Sequence, residues 1–124
     1  MTETQRLEQA CEDNNHSLIR ELIDSQENEE AKGDVYQRII LYYENRKAVL
    51  PVGYVILFIR WLFKNHDFNS AGKYIEKLKE LGVIKKGISD FIYESVIKPD
   101  ESFYKERFGR NLEILVKKRI LIKL

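Results

Sequence analysis

Residues 52–83 read VGYVILFIRWLFKNHDFNSAGKYIEKLKELGV, and two helical periodicities inside them decide the fold. Val55, Phe58, Ile59 and Leu62 recur at three- and four-residue spacing, which places them on one face of a helix. Pro51 fits the first position of that helix, where its missing N–H would be unpaired in any case. The helix is predicted to run to about Asn65. After the short link His66-Asp67, a second helix carries Phe68, Ala71, Ile75 and Leu78 on one face and stops at Gly82, a good left-handed cap. Asp67 reads as the N-cap of this second helix. The apolar run 48–63 is broken by Pro51, Gly53 and Arg60 and ends at Lys64. It falls short of the roughly 18–20 residues a membrane-spanning helix needs, so it is predicted to be the most buried helix of a soluble domain.

Working outward, the pattern stays helical almost throughout. Leu7, Ala10 and Cys11 form one stripe and Leu18, Ile19, Leu22 and Ile23 another, with the turn-forming cluster Asp13-Asn14-Asn15-His16-Ser17 between them. Residues 24–33 (DSQENEEAKG) are polar and acidic and are read as a loop. Asp34 with Gln37 then reads as a capping box opening a helix striped by Val35/Tyr36, Ile39/Ile40 and Tyr43. Beyond Gly82, a stripe of Ile88, Phe91, Ile92, Ser95 and Val96 is closed by Lys98-Pro99, and Asp100 is read as capping a longer helix through Phe103/Tyr104, Phe108, Leu112 and Leu115/Val116. The prediction is one all-α domain of about three antiparallel hairpins: an acidic hairpin 1–33, central helices 34–82 and a C-terminal hairpin 88–120.

Residues 52–83 resemble one tetratricopeptide-like repeat. In that family large apolar residues on a first helix pack on a second helix that carries a small residue followed four and seven positions later by apolar ones. Val55, Phe58, Ile59 and Leu62 stand for the first helix, Asn65-His66-Asp67-Phe68 for the turn, and Ala71, Ile75 and Leu78 for the second. The sequence departs from the family at Ile59, where Gly or Ala packs, and at Val83, where Pro ends the repeat. Asn15-His16-Ser17-Leu18 echoes the later turn. The resemblance implies a right-handed α-superhelix that binds a protein or peptide on its concave side. It places Arg60, Phe63 and Lys64 beside a groove able to accept an acidic or amphipathic peptide. A second resemblance runs from Val96-Ile97-Lys98-Pro99-Asp100-Glu101 through Phe103, Arg107-Phe108 and Asn111-Leu112-Glu113. This pattern is similar to the helical leader segments of some bacterial glycosyltransferase- and methyltransferase-type proteins, and it implies a scaffold beside an enzyme.

The chemistry-bearing motifs do not survive inspection of their spacing. Gly82–Ser89 (GVIKKGIS) has the glycines of a phosphate loop but Ile88 where its lysine belongs. The stretch from Asp67 has Ala71 and Leu78 where a calcium loop needs oxygen ligands. One cysteine and two histidines fall short of a four-ligand zinc site and of an internal disulfide. Cys11 and His16 are five apart, off a common helix face, and acidic neighbours raise rather than lower the thiol pKa. No enzyme activity, cofactor or metal is expected, and both histidines are expected in solvated turns. The alternative is a helix-turn-helix nucleic-acid binder: Leu78-Lys79-Glu80-Leu81-Gly82-Val83 followed by Ile88-Ser89 has that rhythm, with Lys85 and Lys86 on the recognition helix.

Charge argues against a general polyanion binder. The chain holds 21 Lys+Arg against 20 Asp+Glu, a net charge of +1. The balance is a cancellation. Residues 1–34 hold 10 acids and 3 bases (−7), 35–104 hold 8 and 11 (+3), and 105–124 hold 2 and 7 (+5). An electrostatic partner, either an acidic protein or the acidic head of a second copy, is therefore expected on Lys117, Lys118 and Arg119. The polar, acidic N-terminus lacks the features of a secretory signal, and a cytoplasmic setting without membrane association is expected.

Overall fold

A computed structural model describes residues 1–109 and 111, and all the regular structure within them is helical. In order these are α1 (Glu3–Glu12), α2 (His16–Asp24), α3 (Glu29–Asn45), α4 (Val52–Lys64), α5 (Phe68–Glu80), α6 (Ile88–Ile92), a π-helical turn (Tyr93–Ile97), a 3-10 turn (Lys98–Asp100) and α7 (Glu101–Phe108). The chain divides into two compact units, Met1–Phe58 and Ile59–Leu124, with the division inside α4 and so within the central block drawn from sequence.

In the first unit α1, α2 and α3 pack each against the other two. Leu7, Ala10 and Cys11 of α1 meet Ile19, Leu22 and Ile23 of α2 and Val35, Ile39 and Tyr42 of α3. Fully burying an aliphatic side chain of this size contributes about 1.5–3 kcal/mol, so this seam is the main reason three short helices hold together. Thr2 and Gln5 form a capping box at the start of α1, with Gln5 N–H donating to Thr2 Oγ1 at 3.1 Å and Thr2 N–H to Gln5 Oε1 at 2.9 Å.

The start of α3 differs from the sequence expectation. The helix opens at Glu29, five residues before Asp34, because Asn28 caps it: Asn28 Oδ1 accepts from Ala31 N–H at 2.8 Å. Glu29 and Glu30 then lie in the first turn, where the helix dipole favours negative charge. Gly33 is buried inside the helix rather than ending a loop.

Tight joints close with one recurring device. At the end of α1, Asn14 adopts φ +52°, its N–H donates to Cys11 O at 3.2 Å, and Asn15 N–H donates to Ala10 O at 2.8 Å. At the end of α4, His66 adopts φ +60°, with His66 N–H to Phe63 O at 3.1 Å and Asp67 N–H to Leu62 O at 2.9 Å. Both are Schellman closures, which pair otherwise orphaned carbonyls. In each case the next residue caps the following helix: Asn15 accepts from Leu18 N–H and Asp67 from Ser70 N–H, both at 3.2 Å. The aligned positions are thus Asn14-Asn15 and His66-Asp67, two residues away from the echo drawn from sequence. Gly82 ends α5 in the same way, at φ +74° with Val83 N–H donating to Leu78 O at 3.0 Å, as expected.

In the second unit Ile75 and Leu78 of α5, Ile92 of α6, Val96 of the π turn and Tyr104 of α7 are buried to 1% exposure or less. Helical turns follow one another without a loop from Ile88 to Phe108, so Lys98-Pro99 lies in a 3-10 turn and does not open a connecting loop. Asp100 stands at the N-cap of α7, as expected, yet its side chain makes no capping bond and pairs with Lys64 instead. The rest of the C-terminal hairpin lies outside the described residues.

Candidate functional site

The cations of α4 serve the chain itself. Arg60 Nε donates to Ser95 O at 2.6 Å, and Lys64 Nζ pairs with Asp100 while standing 5.4 Å from the Phe103 ring centroid. Phe63 is fully buried and meets Phe68 edge-on at 5.3 Å between ring centroids. These three residues do not form an open peptide site: Phe63 is core, and the turn 95–103 engages the other two. His66 is exposed in the turn between α4 and α5, as expected, with its ring 5.0 Å from that of Phe108.

Lys85 and Lys86 lie in the non-helical link between α5 and α6, ahead of Gly87, and Lys86 approaches Glu94 at 3.6 Å. A recognition helix needs a turn of about three or four residues before it and enough length to lie in a groove. The link here spans residues 81–87, and both lysines lie in it ahead of Ile88, so they are not presented on a helix. Lys117, Lys118 and Arg119 lie outside the described residues.

Cys11 and His16 are not brought together. Cys11 is buried in the first core, where desolvation pushes its thiol pKa from 9.0 up to about 11; Glu8 reinforces the shift and Arg46 opposes it. Burial, not the adjacent acids Glu12 and Asp13, is the leading cause. His16 Nδ1 lies 3.1 Å from the Tyr54 hydroxyl, and the two rings stack at 6.1 Å. Among the described residues, no cluster of three or more His, Cys, Asp or Glu side chains is arranged to hold a metal ion. No described helix is long and apolar enough to cross a membrane.

Among the described residues, an open concave surface lies along the α1–α3 seam. A groove of about 210 Å³ is lined by Thr4, Leu7, Glu8 and Cys11 from α1 and by Arg38, Leu41, Tyr42, Asn45 and Arg46 from α3 and its cap. The α1 positions are i, i+3, i+4 and i+7, and the α3 positions i, i+3, i+4, i+7 and i+8, so the groove follows both helices for about two turns. A shallower hollow of about 420 Å³, lined by Met1, Gln5, Gln9 and Glu12, shares Glu8 and Arg46 with it.

Two guanidinium groups mark the groove, and both are held in place. Arg38 Nη1 donates to Thr4 Oγ1 at 3.2 Å. Arg46 stacks on the Tyr42 ring, with its Cζ 3.6 Å from the centroid, and its Nη1 donates to Tyr42 O at 3.3 Å. Leu41 lies between them, 43% exposed, which makes it one of the few large apolar side chains left open to solvent among the described residues. The sequence carried one sign of this surface: Leu41 is apolar but falls outside the Val35/Ile39 stripe. Compared with protein-family models, with curated proteins and with solved structures, the chain matches none.

Proposed function

We propose that this chain is a non-catalytic protein-interaction module, and that the α1–α3 groove is its docking surface. The observation that carries the reading is the groove itself. An apolar side chain, Leu41, is left exposed between two oriented cations on a surface that repeats with helical spacing on two neighbouring helices. Such a surface matches the helix-in-groove mode, in which anchors at i, i+3, i+4 and i+7 seat a partner segment. Two hairpins closed by the same turn, α1–α2 and α4–α5, support a helical scaffold of repeated units, although 52 positions separate Asn14 from His66 where a tetratricopeptide pair would be about 34 apart. The helix-turn-helix alternative loses its support, because Lys85 and Lys86 lie in a loop.

The test is site-specific cross-linking in the cell of origin. A photo-reactive residue at Leu41 should capture one defined polypeptide, while the same probe at Leu81, equally exposed at the end of α5, should not. Equal capture at both positions, or none at position 41, would overturn the reading.

A further inference from the structure

We infer that the α1–α3 groove selects an amphipathic helix bearing two carboxylates two turns apart on either side of an apolar residue. The inference rests on the interaction-module reading and adds the chemistry of the partner. Arg38 and Arg46 are eight residues apart on α3, about 12 Å along the axis at 1.5 Å per residue. A helix lying along the seam presents Asp or Glu at i and i+7 on one face, about 10.5 Å apart along its axis, a span that two long guanidinium side chains can match. Its residue at i+3 or i+4 then falls over Leu41, whose exposed side chain would be covered together with the edges of Leu7 and Tyr42.

The charges on the page give the sign of the recognition. The groove is lined by two guanidinium groups and one carboxylate, Glu8. Each guanidinium spends one Nη1 donor within the protein, on Thr4 Oγ1 for Arg38 and on Tyr42 O for Arg46. A guanidinium has five N–H donors, so each keeps donors for a bidentate carboxylate, and each is already oriented before the ligand arrives. Orientation in advance lowers the entropic cost of binding. Glu8, on the opposite wall, disfavours a third carboxylate between the two and so fixes which face of the ligand helix enters.

The experiment uses the full chain and two synthetic helical peptides, read by fluorescence anisotropy. One peptide carries Glu at i and i+7 with Leu at i+3 and i+4; the other is identical but carries Lys in place of each Glu. The wild-type chain should bind the Glu peptide and not the Lys peptide, with affinity falling as salt is raised. Arg38→Glu with Arg46→Glu should weaken the Glu peptide about tenfold or more and invert the preference toward the Lys peptide. The inversion guards against a variant that merely misfolds, since a misfolded chain would bind neither. Leu41→Asp should weaken the Glu peptide while leaving the helical spectrum intact. Equal binding of the two peptides to the wild type, or unchanged binding of the Glu peptide to the double variant, would overturn the inference. A polypeptide captured at position 41 whose binding ignores both arginine reversals would overturn it too, yet leave the module standing. Failure of capture together with failure of both peptides would remove both.

Discussion

Arg60 donates its Nε hydrogen to the carbonyl of Ser95 at 2.6 Å, across 35 positions of sequence. The contact has a local cause. In an α-helix Ser95 O would accept from the N–H of residue 99, but that residue is proline, which has no N–H and whose ring crowds the carbonyl four positions back. The helix widens into a π turn at Tyr93–Ile97, and the guanidinium of α4 supplies the missing donor.

Removing that donor should therefore be costly only while the proline is present. Arg60→Ala is expected to destabilise the protein by about 1–3 kcal/mol, the cost of leaving a sheltered carbonyl unpaired. In a Pro99→Ala background, where the backbone can make its own bond, the same substitution should cost under about 1 kcal/mol. A double-mutant cycle by urea denaturation checks this, and strict additivity of the two substitutions would refute the coupling. The neighbouring Lys64–Asp100 pair, about two-fifths exposed on each side, should add no more than about 1 kcal/mol and fade with salt.

Left-handed joints give a prediction of opposite sign at two positions. Gly82 stands at φ +74°, and a Cβ built there meets nothing within 4 Å. The cost of Gly82→Ala is thus all backbone, about 1–2 kcal/mol. Asn14, at φ +52°, already bears that strain in part, so Asn14→Gly should leave stability unchanged or raise it. Thermal melts of the two single variants read both signs; a destabilising Asn14→Gly would show that its side chain contributes more than its backbone costs.

Comparing these joints shows what the sequence carried and what it could not. The α4–α5 hairpin was legible because Asp67 and Gly82 each act within a few residues of their own position, while Pro51, expected at the first helical position, stands one residue before Val52 and its carbonyl accepts from Val55 N–H. α3 was half legible: Val35 and Ile39 marked its buried face, but Asn28 lay hidden in an acidic run, and Gly33 looked like a stop. An interior glycine costs a helix about 1 kcal/mol, which its burial against the core offsets. The use made of Arg60 and Lys64 depends on Pro99 and Asp100, more than thirty positions away, and no local pattern reports it. The groove was least visible of all, since Thr4 and Arg38 meet only once α1 lies on α3.

Cys11 makes the stability depend on alkaline pH. Its thiol pKa is raised from 9.0 to about 11 in the folded chain, chiefly by burial. Between those values the unfolded chain has lost the thiol proton and the folded chain has kept it, so stability falls as pH rises from about 9 and levels off beyond about 11. Cys11→Ala should remove this component, at the cost of a small cavity. Denaturation midpoints measured from pH 8 to 11 read the slope, and an unchanged slope in the variant would assign the loss to other groups. The same burial keeps the thiol protonated at neutral pH, so its reaction with a thiol reagent should accelerate sharply only on unfolding.

Tyr104 supplies the last prediction. It is 1% exposed, its ring meets Phe103 edge-on at 5.1 Å and stacks with Phe108 at 6.2 Å, and its hydroxyl finds no hydrogen-bond partner among the described residues. Desolvation, with Asp100 adding and Arg60 opposing, holds its pKa well above the usual tyrosine range. The ring contributes to the core while the buried hydroxyl works against it. Tyr104→Phe keeps the ring and removes the unpaired group, and it should leave stability unchanged or raise it by about 1–3 kcal/mol. Tyr104→Ala should instead cost about 3–5 kcal/mol through the cavity it opens. Chemical denaturation of both variants separates the two contributions, and a Tyr104→Phe protein clearly less stable than wild type would mean that the hydroxyl is paired in solution.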